Sequence, residues 1–224
     1  MKKPKIFIAC DTTSSTKIKK IINETKDSKI SFGYKFGLEF LNSKDGRKFI
    51  ANLKNIVTFG DYKISDIPNT CLSAVRAIKD LKLNYITVHI SSGLKAIKAV
   101  KKVSGSTKVI GVTVLTSLDN KSLKEIGYNK NVKKIVLQQA KLAAKAKLDA
   151  IVCSPKEIKI VKKVFKKEII TPGIRLPGNK KEDQIRVMTP KQAFQNGATS
   201  IVMGRSLTKG NLKKNIQKLF KDLK

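Results

Sequence analysis

Two carboxylates and an ammonium stand close together in Asp61-Tyr62-Lys63-Ile64-Ser65-Asp66, at the end of an apolar run carrying Ile56, Val57 and Phe59. Every second side chain of a strand shares a face. Asp61 and Lys63 are therefore expected to point the same way if strand geometry holds through Lys63. Asp66 then falls just past the strand, where the chain turns at Pro68. Buried charges are costly unless paired. An alternating acid–base–acid array at a strand end thus suits chemistry in which charge develops, and a purely structural segment has little use for it.

The elements that would position this array repeat along the chain. Eight short apolar, β-branched runs are expected as strands: Lys5–Asp11, Ile30–Phe36, Ile56–Asp61, Asn84–Ile90, Val109–Thr116, Asp149–Ser154, Glu168–Pro172 and Thr199–Gly204. Amphipathic stretches at helical spacing lie between them: Thr16–Thr25, Glu39–Leu53, Asn69–Leu81, Gly93–Val103, Val132–Ala146, Pro155–Phe165, Thr189–Asn196 and Leu212–Leu223. In the fifth of these, Val132, Ile135, Val136, Ala140 and Ala143 recur at three and four. Pro155 and Pro190 suit first helical turns, with Ser154 and Thr189 as their N-caps. Alternating strand–helix units predict a (β/α)₈ TIM barrel, a single α/β domain over residues 1–224. A doubly wound open sheet is the alternative.

A barrel collects function at the C-terminal ends of its strands. Those ends carry Asp11, Lys35, Asp61 with Lys63, His89, Thr116, Ser154, Arg175, and Gly204 with Arg205. Arg175 and Arg205 follow the seventh and eighth strands, where barrels often bind phosphate. The guanidinium fork suits that group, and Gly204 lets backbone approach an oxyanion. A phosphate ester substrate is the expectation. His89, a lone histidine, is read as structural. The longest irregular stretch, residues 175–187, is expected to be a lid or phosphate clamp.

Composition narrows the class. The hydrophobic fraction of 41% suits a soluble enzyme, and no apolar run reaches the ~18 residues of a membrane span. Cys10, Cys71 and Cys153 have no metal-like spacing and read as small buried hydrophobes in a reducing cytoplasm. The net charge of +32 raises nucleic-acid binding. The lysines are spread along the chain, only five basic residues are Arg, and there is no Trp. Base reading and stacking favour the opposite. Nucleic acid is therefore not the expected partner, and the charge reads as a solvated surface that attracts small polyanions.

Asp61-x-Lys63-x-x-Asp66-Ile67-Pro68-Asn69-Thr70 resembles the signature of the orotidine 5′-phosphate decarboxylase family. Ile8-Ala9-Cys10-Asp11, Tyr34-Lys35-Phe36-Gly37-Leu38-Glu39, Val112–Ser117, Val152–Pro155, Thr171–Arg175, Asp183-Gln184-x-Arg186 and Gly204-Arg205 follow in the family's order. The resemblance implies a homodimeric barrel that converts orotidine 5′-phosphate to UMP, the last step of pyrimidine nucleotide synthesis, with no metal and no organic cofactor. It implies that Asp11 and Lys35 bind ribose and Thr116 the pyrimidine edge. Arg175, Gln184, Gly204 and Arg205 would close over pyrimidine and phosphate. Lys63 would stabilise and protonate C6, with Asp61 against the substrate carboxylate. Asp66, Ile67 and Thr70 would reach the neighbouring subunit's site.

The chain departs from the family's pattern in three places. Ser65 stands where His is common, Tyr62 where Leu is common, and Lys180-Lys181-Glu182 where small residues usually precede Asp-Gln. Related sugar-phosphate barrels share the Asp-x-Lys-x-x-Asp core but resemble Mg²⁺-dependent enzymes, with a Glu ligand at the second strand's end. Lys35 occupies that place here, and an ammonium cannot ligate a metal.

Overall fold

The computed structural model describes residues 5–178 and 187–223. Its strands are β1 (Ile6–Ala9), β2 (Phe32–Phe36), β3 (Val57–Ile64), β4 (Tyr85–His89), β5 (Lys108–Val112), β6 (Ala150–Val152), β7 (Glu168–Thr171) and β8 (Ser200–Met203). All pair in parallel with their sequence neighbours, and β1 also pairs with β8, which closes the barrel. Each strand overlaps one of the expected apolar runs; β3 runs on past Asp61 to Ile64, and β5 ends at Val112, short of the expected end at Thr116. The doubly wound alternative is excluded by the β1–β8 ladder, in which Ile6 lies beside Ile201 and Ile8 beside Met203.

The surrounding helices are α1 (Ser15–Thr25), α2 (Leu38–Leu41), α3 (Gly46–Ala51), α4 (Pro68–Ala77), α5 (Gly93–Val103), α6 (Asn120–Glu125), α7 (Val132–Lys145), α8 (Ile158–Val164), α9 (Pro190–Gln195), α10 (Arg205–Thr208) and α11 (Leu212–Leu223). On α7 all five residues of the periodic stripe are buried. Thr189 and Gln192 form a reciprocal capping box at α9, which satisfies two orphan amide donors. Ser154 caps a 3₁₀ turn over Pro155–Glu157 that leads into α8.

The expected helix Asn69–Leu81 ends as α4 at Ala77 and is followed by a separate 3₁₀ turn over Lys79–Leu81, and another expected helix is broken outright. The stretch Glu39–Leu53 forms α2 and α3, separated by residues 42–45. The Asn42 side chain donates to the Leu38 carbonyl at 2.8 Å and the Ser43 hydroxyl to that of Phe40 at 2.7 Å. Short polar side chains that bond backbone carbonyls compete with the helical ladder. Gly46 then packs against the Phe40 carbonyl, where a Cβ would collide.

Side chains alternate between two apolar layers. Inside the barrel, Phe7 packs edge to face on both Phe59 and Tyr85, with ring centroids 5.2 Å and 5.3 Å away. Below this plug, Lys108 bonds Glu168 at 2.6 Å and Tyr85 at 3.3 Å, tying the starts of β4, β5 and β7. Burying an aliphatic or aromatic core side chain contributes about 1.5–3 kcal/mol. The plug has a second effect. It fills the barrel interior beneath the strand ends, so the most deeply set charges above it, Lys35 and Asp61, are largely withdrawn from water.

Candidate active site

Four charged side chains alternate in sign above the aromatic plug. The Lys35 ammonium, on β2, lies 3.2 Å from Asp11 Oδ1 and 3.4 Å from Asp61 Oδ2. The Lys63 ammonium, on β3, lies 2.7 Å from the same Asp61 oxygen. The side chains of Asp61 and Lys35 are 11% and 12% exposed, Lys63 is 32% exposed and Asp11 is 57% exposed. The inner pair is therefore largely withdrawn from water, while Lys63 and Asp11 face the opening.

The remaining oxygen of Asp61 is held by Thr87, on β4. The Thr87 hydroxyl donates to Asp61 Oδ1 at 3.0 Å and accepts from the Lys63 amide at 2.8 Å. Burial alone would raise the Asp61 carboxyl. The ammonium groups of Lys35 and Lys63, with hydrogen bonds from Lys63 and Thr87, outweigh it and hold the carboxyl below its ordinary value. Burial would likewise lower Lys35, and Asp61 and Asp11 outweigh it to hold the ammonium above its ordinary range. Both charges persist at neutral pH for this reason.

Strand geometry does not hold through Lys63. Its φ is +50°, the left-handed region. Gly60 is beside Ile86 and Ile64 beside Val88, so the β3–β4 register shifts between them. The four steps from Gly60 to Ile64 run beside only the two from Ile86 to Val88, which is a bulge. A non-glycine residue in the left-handed region costs about 1–2 kcal/mol. Asp61 and Lys63 still meet, but through this bend rather than by simple alternation.

Above the charge chain is a cavity of about 270 Å³. Asp11, Lys35, Asp61, Lys63, Thr116, Arg175, Gly204 and Arg205 all line it, as their strand-end positions led us to expect. Thr116 and Arg175 are half-buried, and Arg205 is exposed at the rim. Gly37 borders the charge chain closely. A Cβ at that position would lie 3.0 Å from Asp11 Oδ1 and 3.2 Å from Lys35 Nζ. Cys10 is buried beside the site, and burial pushes its thiol up to about 12. It is a packing group rather than a nucleophile. A larger groove of about 600 Å³ lies beside α1 and shares Asp11 and Arg205. The buried Lys35–Asp61 pair does not line it, so we place the site in the barrel mouth.

Three expected site residues do not reach this cavity within the chain. Asp66, Ile67 and Thr70 are exposed beyond β3. Asp66 Oδ1 accepts from the Ile67 amide at 2.7 Å, and Ile67 is 66% exposed. Gln184 lies outside the described residues, as does Arg186. His89 is half-buried and does not line the cavity. Among the described residues no group of three or more His, Cys, Asp or Glu side chains could hold a metal ion, and no helix is long and apolar enough to cross a membrane.

This geometry can be set beside known proteins. The profile of the Orotidine 5′-phosphate decarboxylase / HUMPS family matches residues 4–218. The chain belongs to that family. The orotidine 5′-phosphate decarboxylase of Prochlorococcus marinus (strain MIT 9215) is 39% identical over 98% of this chain and 95% of its own length. That of Wolbachia sp. subsp. Brugia malayi (strain TRS) is 41% identical over 96% of both. Among solved structures, the crystal structure of orotidine 5′-phosphate decarboxylase from Lactobacillus acidophilus superposes with a TM-score of 0.83, at 30% identity over 99% of each chain. The eight-stranded barrel is thus the family fold, with no large insertion or loss.

Sequence reasoning missed Thr87. A signal was present: Tyr85, Thr87 and His89 share the inward face of β4, and Thr87 is fully buried there. A hydroxyl on a buried inward position needs a partner. Which partner was not legible, because the β3 bulge that brings the Lys63 amide to it depends on two strands.

Proposed function

We propose that this chain decarboxylates orotidine 5′-phosphate to UMP, the last step of pyrimidine nucleotide synthesis, without metal or organic cofactor. The observation that carries the reading is the Asp11–Lys35–Asp61–Lys63 charge chain, with its inner Lys35–Asp61 pair largely buried, in a cavity that Arg205 and Gly204 also line. Curated relatives of nearly the same length carry the decarboxylase name.

The charges support a direct reaction. The bond from C6 to the carboxylate breaks, CO₂ leaves, and the electron pair stays on C6. The Lys63 ammonium is the charge that stabilises this pair, and its Nζ–H then gives C6 the proton. Solvent returns the proton to Lys63. An ammonium fixed before reaction stabilises developing charge without reorganising. Asp61 lies where the substrate carboxylate would approach and keeps Lys35 charged. Asp11 and Lys35 bind the ribose hydroxyls, and Thr116 takes the pyrimidine edge. Arg205 is the phosphate fork, joined by Gly204, Arg175 and Gln184. Binding energy at the phosphate, remote from C6, favours closure over the reacting atoms.

In this reading the active form is a cytoplasmic homodimer. Asp66, Ile67 and Thr70 of one copy complete the site of the other. Their exposure, and that of Leu38 at 48%, supports a surface that a second copy covers.

A metal-dependent sugar-phosphate reaction is the second reading within the same family. Lys35 speaks against it, because its ammonium lies between Asp11 and Asp61 and would repel a divalent cation from those carboxylates. The test is loss of orotidylate's ultraviolet absorbance on adding the enzyme, with and without excess EDTA. Equal turnover in both is expected. No turnover refutes the decarboxylase reading, and turnover abolished by EDTA refutes its metal independence.

A further inference from the structure

We infer that Thr87 is the positioning residue that sets the reactive geometry of Lys63 and Asp61. The inference rests on the decarboxylase reading above. One hydroxyl serves both partners. It accepts from the Lys63 amide at 2.8 Å and donates to Asp61 Oδ1 at 3.0 Å. A hydroxyl has one proton to give and lone pairs to accept with, so both bonds form at once. Thr87 is 0% exposed.

Each bond fixes a different coordinate. The amide bond fastens the backbone of Lys63, whose φ of +50° few non-glycine residues adopt without support. It does so within the bulge, where ladder pairing between β3 and β4 is interrupted. The bond to Asp61 fixes the rotation of the carboxylate. With Oδ1 on Thr87, Oδ2 faces both ammonium groups, Lys63 at 2.7 Å and Lys35 at 3.4 Å. Backbone and carboxylate are thereby referred to one atom on a neighbouring strand. Thr87 itself does not line the cavity, so it acts through its two partners and not on substrate.

Thr87→Val keeps the side-chain shape and removes the hydroxyl. Thr87→Ser keeps the hydroxyl. We expect Thr87→Val to lower kcat by about 30- to 100-fold, the scale of an ångström-level misplacement of a reacting group. KM and the affinity for UMP should stay near wild type, because the ribose and phosphate contacts are untouched. Thr87→Ser should restore kcat. A Thr87→Val enzyme with wild-type kcat overturns the inference. So does a variant that loses kcat and UMP affinity together, or a Thr87→Ser enzyme as slow as Thr87→Val. If Thr87→Val does not fold, Thr87→Ala is read by the same criteria. A wild-type chain that leaves orotidylate intact refutes the functional reading instead. Crystals of the Thr87→Val chain then decide the role of Thr87. Departure of Lys63 from the left-handed conformation supports it, and unchanged Lys63 and Asp61 geometry overturns it.

Discussion

Lys63→Ala separates the chemistry of this site from its architecture. The substitution removes the ammonium that lies 2.7 Å from Asp61. A unit charge about 3 Å from a developing carbanion contributes about 5 kcal/mol at an effective dielectric near 20. That corresponds to roughly 10⁴-fold in kcat. The cost in stability is much smaller. Asp61 keeps Lys35 at 3.4 Å and the Thr87 hydroxyl at 3.0 Å, so its carboxylate stays paired. Lys63 is one-third exposed, and the large penalty of breaking a buried pair arises when the remaining charge is left unpaired, which Asp61 is not. UMP binding should survive, since phosphate and ribose contacts remain. The assays are steady-state loss of orotidylate absorbance, calorimetric UMP binding and thermal melting. Lys63→Gly is the informative control. It loses the same ammonium but tolerates φ of +50°, relieving about 1–2 kcal/mol of backbone cost. Its melting temperature should therefore equal or exceed that of Lys63→Ala. A Lys63→Ala enzyme within about a hundredfold of wild-type kcat would refute the proton-donor role, since general acid catalysis alone contributes about 10²–10⁴-fold. A parallel collapse of UMP affinity would refute the separation of chemistry from binding.

Gly37→Ala should raise KM with a lesser effect on kcat, because its Cβ would press on the Asp11 and Lys35 head groups at 3.0 and 3.2 Å; unchanged KM would show that the ribose pair tolerates the displacement. The pH dependence of stability follows from two opposite shifts. Asp61 is held below its ordinary 3.8, so its contribution is complete above that value and is lost as pH falls through the folded one. Lys35 is held above 10.5, so its contribution is complete below that value and is lost as pH rises through the folded one. Denaturant midpoints of wild type and Asp61→Asn should differ by a constant amount across neutral pH and converge in strong acid. A difference that varies through neutrality would contradict the assignment.

Much of the fold was legible because periodicity is local. The α7 stripe from Val132 to Ala143, the Thr189 cap and the eight apolar runs need only neighbouring residues to be read. The break after α2 was less so. It depends on Asn42 and Ser43 turning back onto carbonyls of their own helix, and on Gly46 packing against Phe40. Helices α6 and α10 were not anticipated. One lies in a polar stretch capped by Asp119, and the other begins at Arg205, where a site residue was expected rather than a helix.

The amino-acid sequence by itself determined which groups stand at strand ends, and so that Asp11, Lys35, Asp61, Lys63, Thr116, Arg175, Gly204 and Arg205 share one face of a closed ring. Alternation along strands and the parallel barrel suffice for that. Only the tertiary structure decided how the charges pair. Sequence spacing put Asp61, Lys63 and Asp66 in one acid–base–acid run, with Asp66 expected at a neighbouring subunit's site; within one chain the structure pairs Asp11, Lys35, Asp61 and Lys63. Tertiary structure also turned Lys63 left-handed and placed Thr87 beneath it. The physical reason is that a bulge and a cross-strand hydrogen bond belong to two strands together. Neither strand's sequence contains the register that makes them.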